Sequence, residues 1–342
     1  MTLQRRILIL VTAVVLLAAV GVLAVLRAGS RADEKDQARP GGPRVTPGAV
    51  SLAAGGGERR MVFRDMAWGP HRDEIASVPA GAPDGPRTAS GVKCLRFHAA
   101  AGTGICLQSD KGGVQESYRA VVLDSALKEV TTRPLAGIPT RARVSPGGHL
   151  AAWTVFVGGD SYAGTDFSTR TSLLDLRTGR YDASLEDFTV LMDGKPYRSA
   201  DVNFWGVTFA ADEQTFYATL ATGGRTHLVR GDLAARTVSV LRENLECPSL
   251  SPDGTRLVFK KRVPGLPEDA PWRLYVLDLA SMKEAPLAEA RSVDDQVVWT
   301  DDHTVVYSLP GDFGADLYSV PADGSGAPVR VTASALAPAF LG

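Results

Sequence analysis

The stretch Ser251-Pro252-Asp253-Gly254-Thr255-Arg256-Leu257-Val258-Phe259 sets a tight turn in front of an apolar strand, and Leu274-Tyr275-Val276-Leu277-Asp278-Leu279 follows after a short loop. Variants of this phrase return along the chain with a period of roughly 40 to 50 residues, the spacing left in sequence by a β-propeller blade. From about residue 60 onward, short β-rich runs alternate with Gly, Pro, Asp and Ser turns, and no stretch shows helical periodicity. Aligning the repeats on their third strands gives Glu74–Pro79, Tyr118–Asp124, Arg170–Leu176, Thr226–Asp232, Trp272–Leu279 and Ala315–Val320. The expected fold is therefore all-β: a six-bladed β-propeller over residues 59–342.

A propeller has to close its ring, and the sequence indicates how. Asp73-Glu74-Ile75-Ala76-Ser77-Val78-Pro79-Ala80 resembles Ala315-Asp316-Leu317-Tyr318-Ser319-Val320-Pro321-Ala322. The later copy runs on into Leu336-Ala337-Pro338-Ala339-Phe340, whereas the earlier one, beginning near Met61, lacks an inner strand of its own. The C-terminal strand is thus expected to complete the N-terminal blade, which removes two sheet edges at once.

Ahead of the repeats lies Ile7 to Leu26, a run without a charge, preceded by Arg5 and Arg6. At roughly 1.5 Å per residue, such a helix matches the hydrocarbon thickness of a bilayer. Residues 1–27 read as an N-terminal transmembrane anchor or, alternatively, a signal sequence; the length of the apolar run favours the anchor. Arg5 and Arg6 place the N-terminus in the cytoplasm and the remainder on the extracytoplasmic side of the cell membrane. Residues 28–58, rich in Gly, Pro and Ala, read as a flexible tether.

The 37 Lys and Arg against 38 Asp and Glu leave a formal net charge of -1, which provides no field to attract nucleic acid. Cys94 and Cys106 flank a hairpin turning near residue 100, so they are expected on adjacent strands. They are open to a disulfide in an oxidising compartment or to burial as two reduced thiols. Cys247 is then unpaired, and the absence of any C-x-x-C argues against structural zinc.

The phrase at 251–259, with its degenerate copies at Ser145–Trp153, Ala211–Tyr217 and Thr300–Tyr307, resembles the WD-like repeats of TolB-type propellers. The likeness covers nearly all of the chain beyond the tether. More narrowly the chain resembles the membrane-anchored "TolB-like translocation protein" group, whose members are grouped by fold and not by a demonstrated activity. It departs from TolB proper in its apparent anchor and in lacking a recognisable N-terminal α/β domain.

No catalytic set is legible. Gly159-Asp160-Ser161-Tyr162-Ala163 approaches a nucleophile elbow but lacks the final Gly and the following helix. His71, His98, His149, His227 and His303 do not fall at metal-ligand spacing. No cofactor or metal is expected. The residues opening the inner strands, Arg141, Asn203, Glu246, Asp294 and Asp295, with Trp205 close behind, are expected to meet at one mouth of the central channel. There they would suit a polar ligand, a peptide terminus or a cation. The insertions 158–169 and 187–202, carrying Tyr162, Asp166, Phe167 and Tyr197, are expected as binding loops on the same face. Two classes of function follow. The first is a non-catalytic propeller that binds a protein or cell-envelope component through its loop-rich face. The second is a hydrolase or lyase using Glu246, Asp294 and Asp295, with or without a divalent ion.

Overall fold

A computed structural model describes residues 3–53, 57–110, 116–159, 162 and 167–342. Six sheets follow one another around a ring, and in blades two to six the first strand is innermost. Blade two is built from Arg96–Ala100, Thr103–Asp110, Ser117–Leu123 and Glu129–Leu135, and blade three from Ile138–Val144, Leu150–Gly158, Ser168–Asp175 and Tyr181–Asp182. Blade four runs outward through Asn203–Phe209, Thr215–Thr222, Arg225–Asp232 and Thr237–Glu243. Blade five comprises Glu246–Leu250, Arg256–Arg262, Trp272–Asp278 and Glu284–Pro286; blade six comprises Val298–Trp299, Thr304–Gly311, Gly314–Pro321 and Val329–Thr332.

Blade one is composite, as the sequence indicated. Its own strands Arg60–Asp65, Glu74–Pro79 and Arg87–Lys93 receive the C-terminal strand Ala335–Leu341 at the inner edge, pairing Met61 with Phe340, Val62 with Ala339 and Arg64 with Leu336. A buried staple locks the seam. The Arg87 guanidinium donates to Asp65 Oδ1 at 2.7 Å and to the Ser334 carbonyl at 2.9 Å, lies 5.0 Å over the Phe63 ring, and both charged side chains are almost wholly enclosed. Burial pushes the Asp65 carboxyl above its usual range even against the Arg87 charge.

Two stretches differ from their expected form. Residues 28–58 were expected as a tether, yet the helix continues through Lys35 and Val45–Pro47 adds a parallel fifth strand to blade one, with Val45 opposite Arg87. Val50 and Leu52 then sink into the core between blades one and two, beside Val62, Phe97 and Leu341. These few apolar residues supply the reason, since a fully buried leucine contributes about 2 kcal/mol. The insertion 187–202 is likewise a sheet extension and not a free loop. Thr189–Met192 pairs in parallel with Thr237–Glu243, Lys195–Tyr197 folds back on it, and Phe188 and Val190 bury against the blade-four core.

The helix spans Leu3–Lys35, and Gln4–Arg27 within it is long and apolar enough to cross a membrane, with its apolar side chains unpacked against the propeller. Its end meets the ring. The Gly69 amide donates to the Lys35 carbonyl at 2.9 Å, and the Arg39 guanidinium lies 3.9 Å over the Trp68 ring. Trp68 and Gly69 lie in the connection between Arg60–Asp65 and Glu74–Pro79, and Asp65 pairs with Ala335 at the start of the inner strand, so the helix joins the face where inner strands begin.

Candidate functional site

The channel along the propeller axis has two mouths with opposite character. Where the inner strands begin, charged side chains fill it. Glu246 opens the inner strand of blade five, and the backbone then bulges at Cys247, whose φ is 50°. Blade four bulges beside it at Gly206, φ 64°, where a Cβ would lie 2.8 Å from the Cys247 Cα. A side chain at position 206 is therefore barred both by space and by backbone conformation.

Glu246 is almost fully buried and surrounded by donors. Its Oε1 accepts from Arg262 Nε at 3.1 Å and from Trp272 Nε1 at 3.1 Å, while Lys260 Nζ lies 3.6 Å from Oε2. Lys260 is the hub of the site: with no solvent exposure at all, it also bonds Asp294 Oδ1 and lies 3.8 Å over the Trp272 ring. Burial pushes the Lys260 ammonium down, but the negative charges around it, Asp294 first, outweigh this and hold its pKa above the usual range. Arg141 donates to Asp294 Oδ1 at 3.3 Å. Burial pushes the Asp294 carboxyl up, yet Lys260 and then Arg141 prevail and hold it below its usual range.

Aromatic rings pack beside this cluster and leave Asp294 partly exposed. Tyr162, from the 158–169 insertion, packs 5.2 Å from the Trp205 ring and 4.7 Å from Phe156, with Phe167 5.4 Å away. Its hydroxyl meets Thr140 Oγ1 at 3.2 Å, its carbonyl accepts from Arg262 at 2.7 Å, and the Arg141 guanidinium lies 4.8 Å over its ring. A small cavity of about 30 Å³ lies beside Arg141 and Thr140, lined also by Arg96, Arg143 and Asp295.

The expected site residues thus divide. Arg141, Glu246 and Asp294 do meet, joined through Lys260, while Trp205 is buried beneath Tyr162. Asn203 does not join them: its Oδ1 accepts from the Thr169 amide at 2.9 Å and from Ser168, tying blade four to blade three. Asp295 turns to Ser308, accepting its amide at 3.0 Å. Tyr162 and Phe167 point inward because aromatic burial outweighs exposure on a loop, and Tyr197 bonds Thr222 Oγ1 at 2.9 Å on the blade-four edge. Asp166, and the Ser161 of the elbow-like motif, lie outside the described residues. Among the described residues, no group of three or more His, Cys, Asp and Glu side chains is gathered to hold a metal.

Cys94 and Cys106 are joined in a disulfide with Cα atoms 5.4 Å apart, although not as opposed residues of one hairpin. Phe97 is the residue opposite Cys106, and Cys94 lies in the crossing from blade one to blade two. The bridge therefore ties that crossing to the second strand of blade two.

At the other mouth, where the inner strands end, the channel opens into a cavity of about 270 Å³. All six blades line it, through His98, Arg143, Thr208, Ser249, Trp299 and Phe340 among others. Lys260, His98 and Arg143 escaped the sequence reading. The available signal was face parity: Lys260 shares a sheet face with buried Val258, and Arg143 shares the channel-lining face of its strand with Arg141.

No protein-family model and no curated protein matches the sequence. Among solved structures, TolB from Acinetobacter baumannii superposes with a TM-score of 0.52 at 17% identity, over 83% of this chain and 66% of that one. A nidogen/laminin complex gives 0.51 at 10% identity, over 82% and 98%. A puromycin-hydrolyzing peptidase of Mycobacterium tuberculosis gives 0.47 at 16%, over 83% and 46%. The chain thus spans less than two thirds of the length of the TolB and peptidase chains. At such identities the likeness shows architecture: the chain is a six-bladed β-propeller whose neighbours among solved structures include TolB and other propellers.

Proposed function

We propose that this chain is a membrane-anchored, extracytoplasmic, non-catalytic propeller that binds a protein or cell-envelope component through the face opposite its anchor. One observation carries this reading. The helix joins the face where inner strands begin, that mouth is occupied by Tyr162 and the ion-paired Lys260 cluster, and the open cavity lies at the other end. This replaces the loop-rich face expected from sequence. The extracytoplasmic side is supported by Arg5 and Arg6 ahead of the apolar helix and by the Cys94–Cys106 bridge. A hydrolase or lyase reading needs Glu246 and Asp294 free to move protons, whereas both are engaged by the buried Lys260, with Arg262 added at Glu246 and Arg141 at Asp294.

The test is site-specific photo-crosslinking of the full chain in cells, with the reactive residue at exposed Ala211 beside the open cavity or at exposed Pro70 beside the anchor. A discrete adduct of one mass from position 211 and none from position 70 is expected. Adducts from position 70 alone, or from neither, would overturn the assignment of the face.

A further inference from the structure

The open cavity contains an unmet electrostatic demand. His98 sits on the inner strand of blade two and Arg143 on that of blade three, both more than nine-tenths buried. The Val144 amide donates to His98 Nδ1 at 3.1 Å, so that nitrogen is the acceptor and the neutral ring carries its proton on Nε2. Arg143 Nη1 lies 3.2 Å from Nε2, and a guanidinium has no lone pair to offer. Two donors therefore face each other. The second arm of Arg143 is spent on the Val297 carbonyl at 3.1 Å, and its Nε is buried without an acceptor. Burial, reinforced by the Arg143 charge, holds the His98 imidazole well below its usual range, which keeps the ring neutral and the conflict in place.

An acceptor shared by both nitrogens resolves this arrangement, and no carboxylate of the protein supplies it: Asp295, which adjoins both side chains on the other side, spends its oxygens on the Gln296 amide and on Ser308. No Asp or Glu lines the open cavity; around the Arg143–His98 pair stand Thr208, Ser249, Ser251 and the Trp299 and Phe340 side chains. One guanidinium and one neutral imidazole match a single negative charge better than a doubly charged phosphate, and the aromatic wall suits an apolar body next to it. We propose that the central cavity is a carboxylate-binding site, with one carboxylate oxygen bridging Arg143 Nη1 and His98 Nε2 and an apolar group against Trp299 and Phe340. The site deepens the proposed function and rests on it for the face that a partner meets. The carboxylate has two available sources, a small free acid or the C-terminus of a peptide.

The full chain in detergent is titrated with 3-phenylpropionate, with N-acetyl-Ala-Phe as acid and as amide, and with inorganic phosphate. Thermal unfolding and the ¹⁵N resonance of His98 Nε2 are followed. Either acid is expected to raise the unfolding temperature by about 2–4 °C near saturation and to move the His98 resonance. The amide is expected to bind at least tenfold more weakly than its acid, and Arg143→Gln to lose at least tenfold in affinity for the acids. The ratio of the two acids identifies the source. Equal binding of acid and amide, a stronger response to phosphate, or no movement of His98 would overturn the site. If Arg143→Gln does not fold, the His98 titration of the parent protein decides alone. Crosslinking from position 211 without any carboxylate response would remove this site and leave the proposed function standing; carboxylate binding without a crosslinked partner would do the reverse.

Discussion

Replacing Arg87 by Met tests whether the ring is held shut by the buried staple at its seam. The substitution keeps a long apolar side chain beneath Phe63 but removes every donor to Asp65 Oδ1 except the Ala67 amide, 2.9 Å away. It also strips the Ser334 carbonyl of its contact with the guanidinium. The side chains of Arg87 and Asp65 are 2% and 1% exposed, so water does not take over the lost interaction. Removing one partner of such a pair costs about 3–5 kcal/mol, a large share of the total stability of most domains. For a propeller of this size that is a fall of roughly 10 °C in unfolding temperature, read by circular dichroism on the full chain in detergent. The pH dependence has a definite sign. Asp65 already has a raised pKa in the folded state, so its contribution is greatest at low pH and is lost as pH rises. Without Arg87 that pKa rises further, and the deficit of the variant therefore shrinks between pH 7 and pH 5. Adding Asp65→Asn removes the stranded charge and recovers part of the loss, which a double-mutant cycle measures. An Arg87→Met protein within about 1 kcal/mol of the parent, or no recovery in the double variant, would refute the staple.

Two further expectations concern the compartment and the outer sheet. A maleimide-polyethylene glycol reagent added to cells denatured without reductant should label Cys247 alone, and labelling of all three cysteines would contradict an oxidising location. Glu186, pushed up from an ordinary 4.5 to about 7, first by burial, loses stability as pH rises through that window, because the unfolded chain releases its proton earlier. Glu186→Gln should flatten the stability profile between about pH 4.5 and 7 by up to about 3 kcal/mol, and an unchanged slope would show that another group dominates there.

The fold was legible because its determinants are local and repeated. Turn phrases such as Ser251–Gly254 and the alternation that follows them fix strand after strand, and the missing inner strand before Met61 implied its replacement by Ala335–Leu341. The site was legible only where position on a strand decides direction, as for Arg141 and Glu246. Asn203 opens its strand in the same way, yet it bonds sideways to Thr169, because its amide oxygen can accept from a backbone N–H, which a donor-only guanidinium cannot do. Lys260 was hidden because a lysine in a strand ordinarily reads as solvent-facing, and only the convergence of Glu246 and Asp294 from other strands makes its burial tolerable. The open cavity was hidden for a different reason. Much of its rim consists of small residues such as Ala99, Ala100 and Gly254, which shape space without announcing any chemistry.

The attachment of the stalk has a mechanical consequence. Lys35 and Arg39 meet blade one at Gly69 and Trp68, with the blade-six ring of Phe313 6.0 Å from the Arg39 guanidinium, and Val45–Pro47 then runs alongside Arg87–Ala89. In the proposed arrangement, tension from a partner held at the far side would pass to the membrane across the junction where the first and last blades join. The parallel pair Val45–Pro47 and Arg87–Ala89, loaded along its length, would resist in shear with its hydrogen bonds sharing the load, so a pull on the stalk would fall on the outer edge of blade one and not on the closing pair Arg60–Asp65 and Ala335–Leu341.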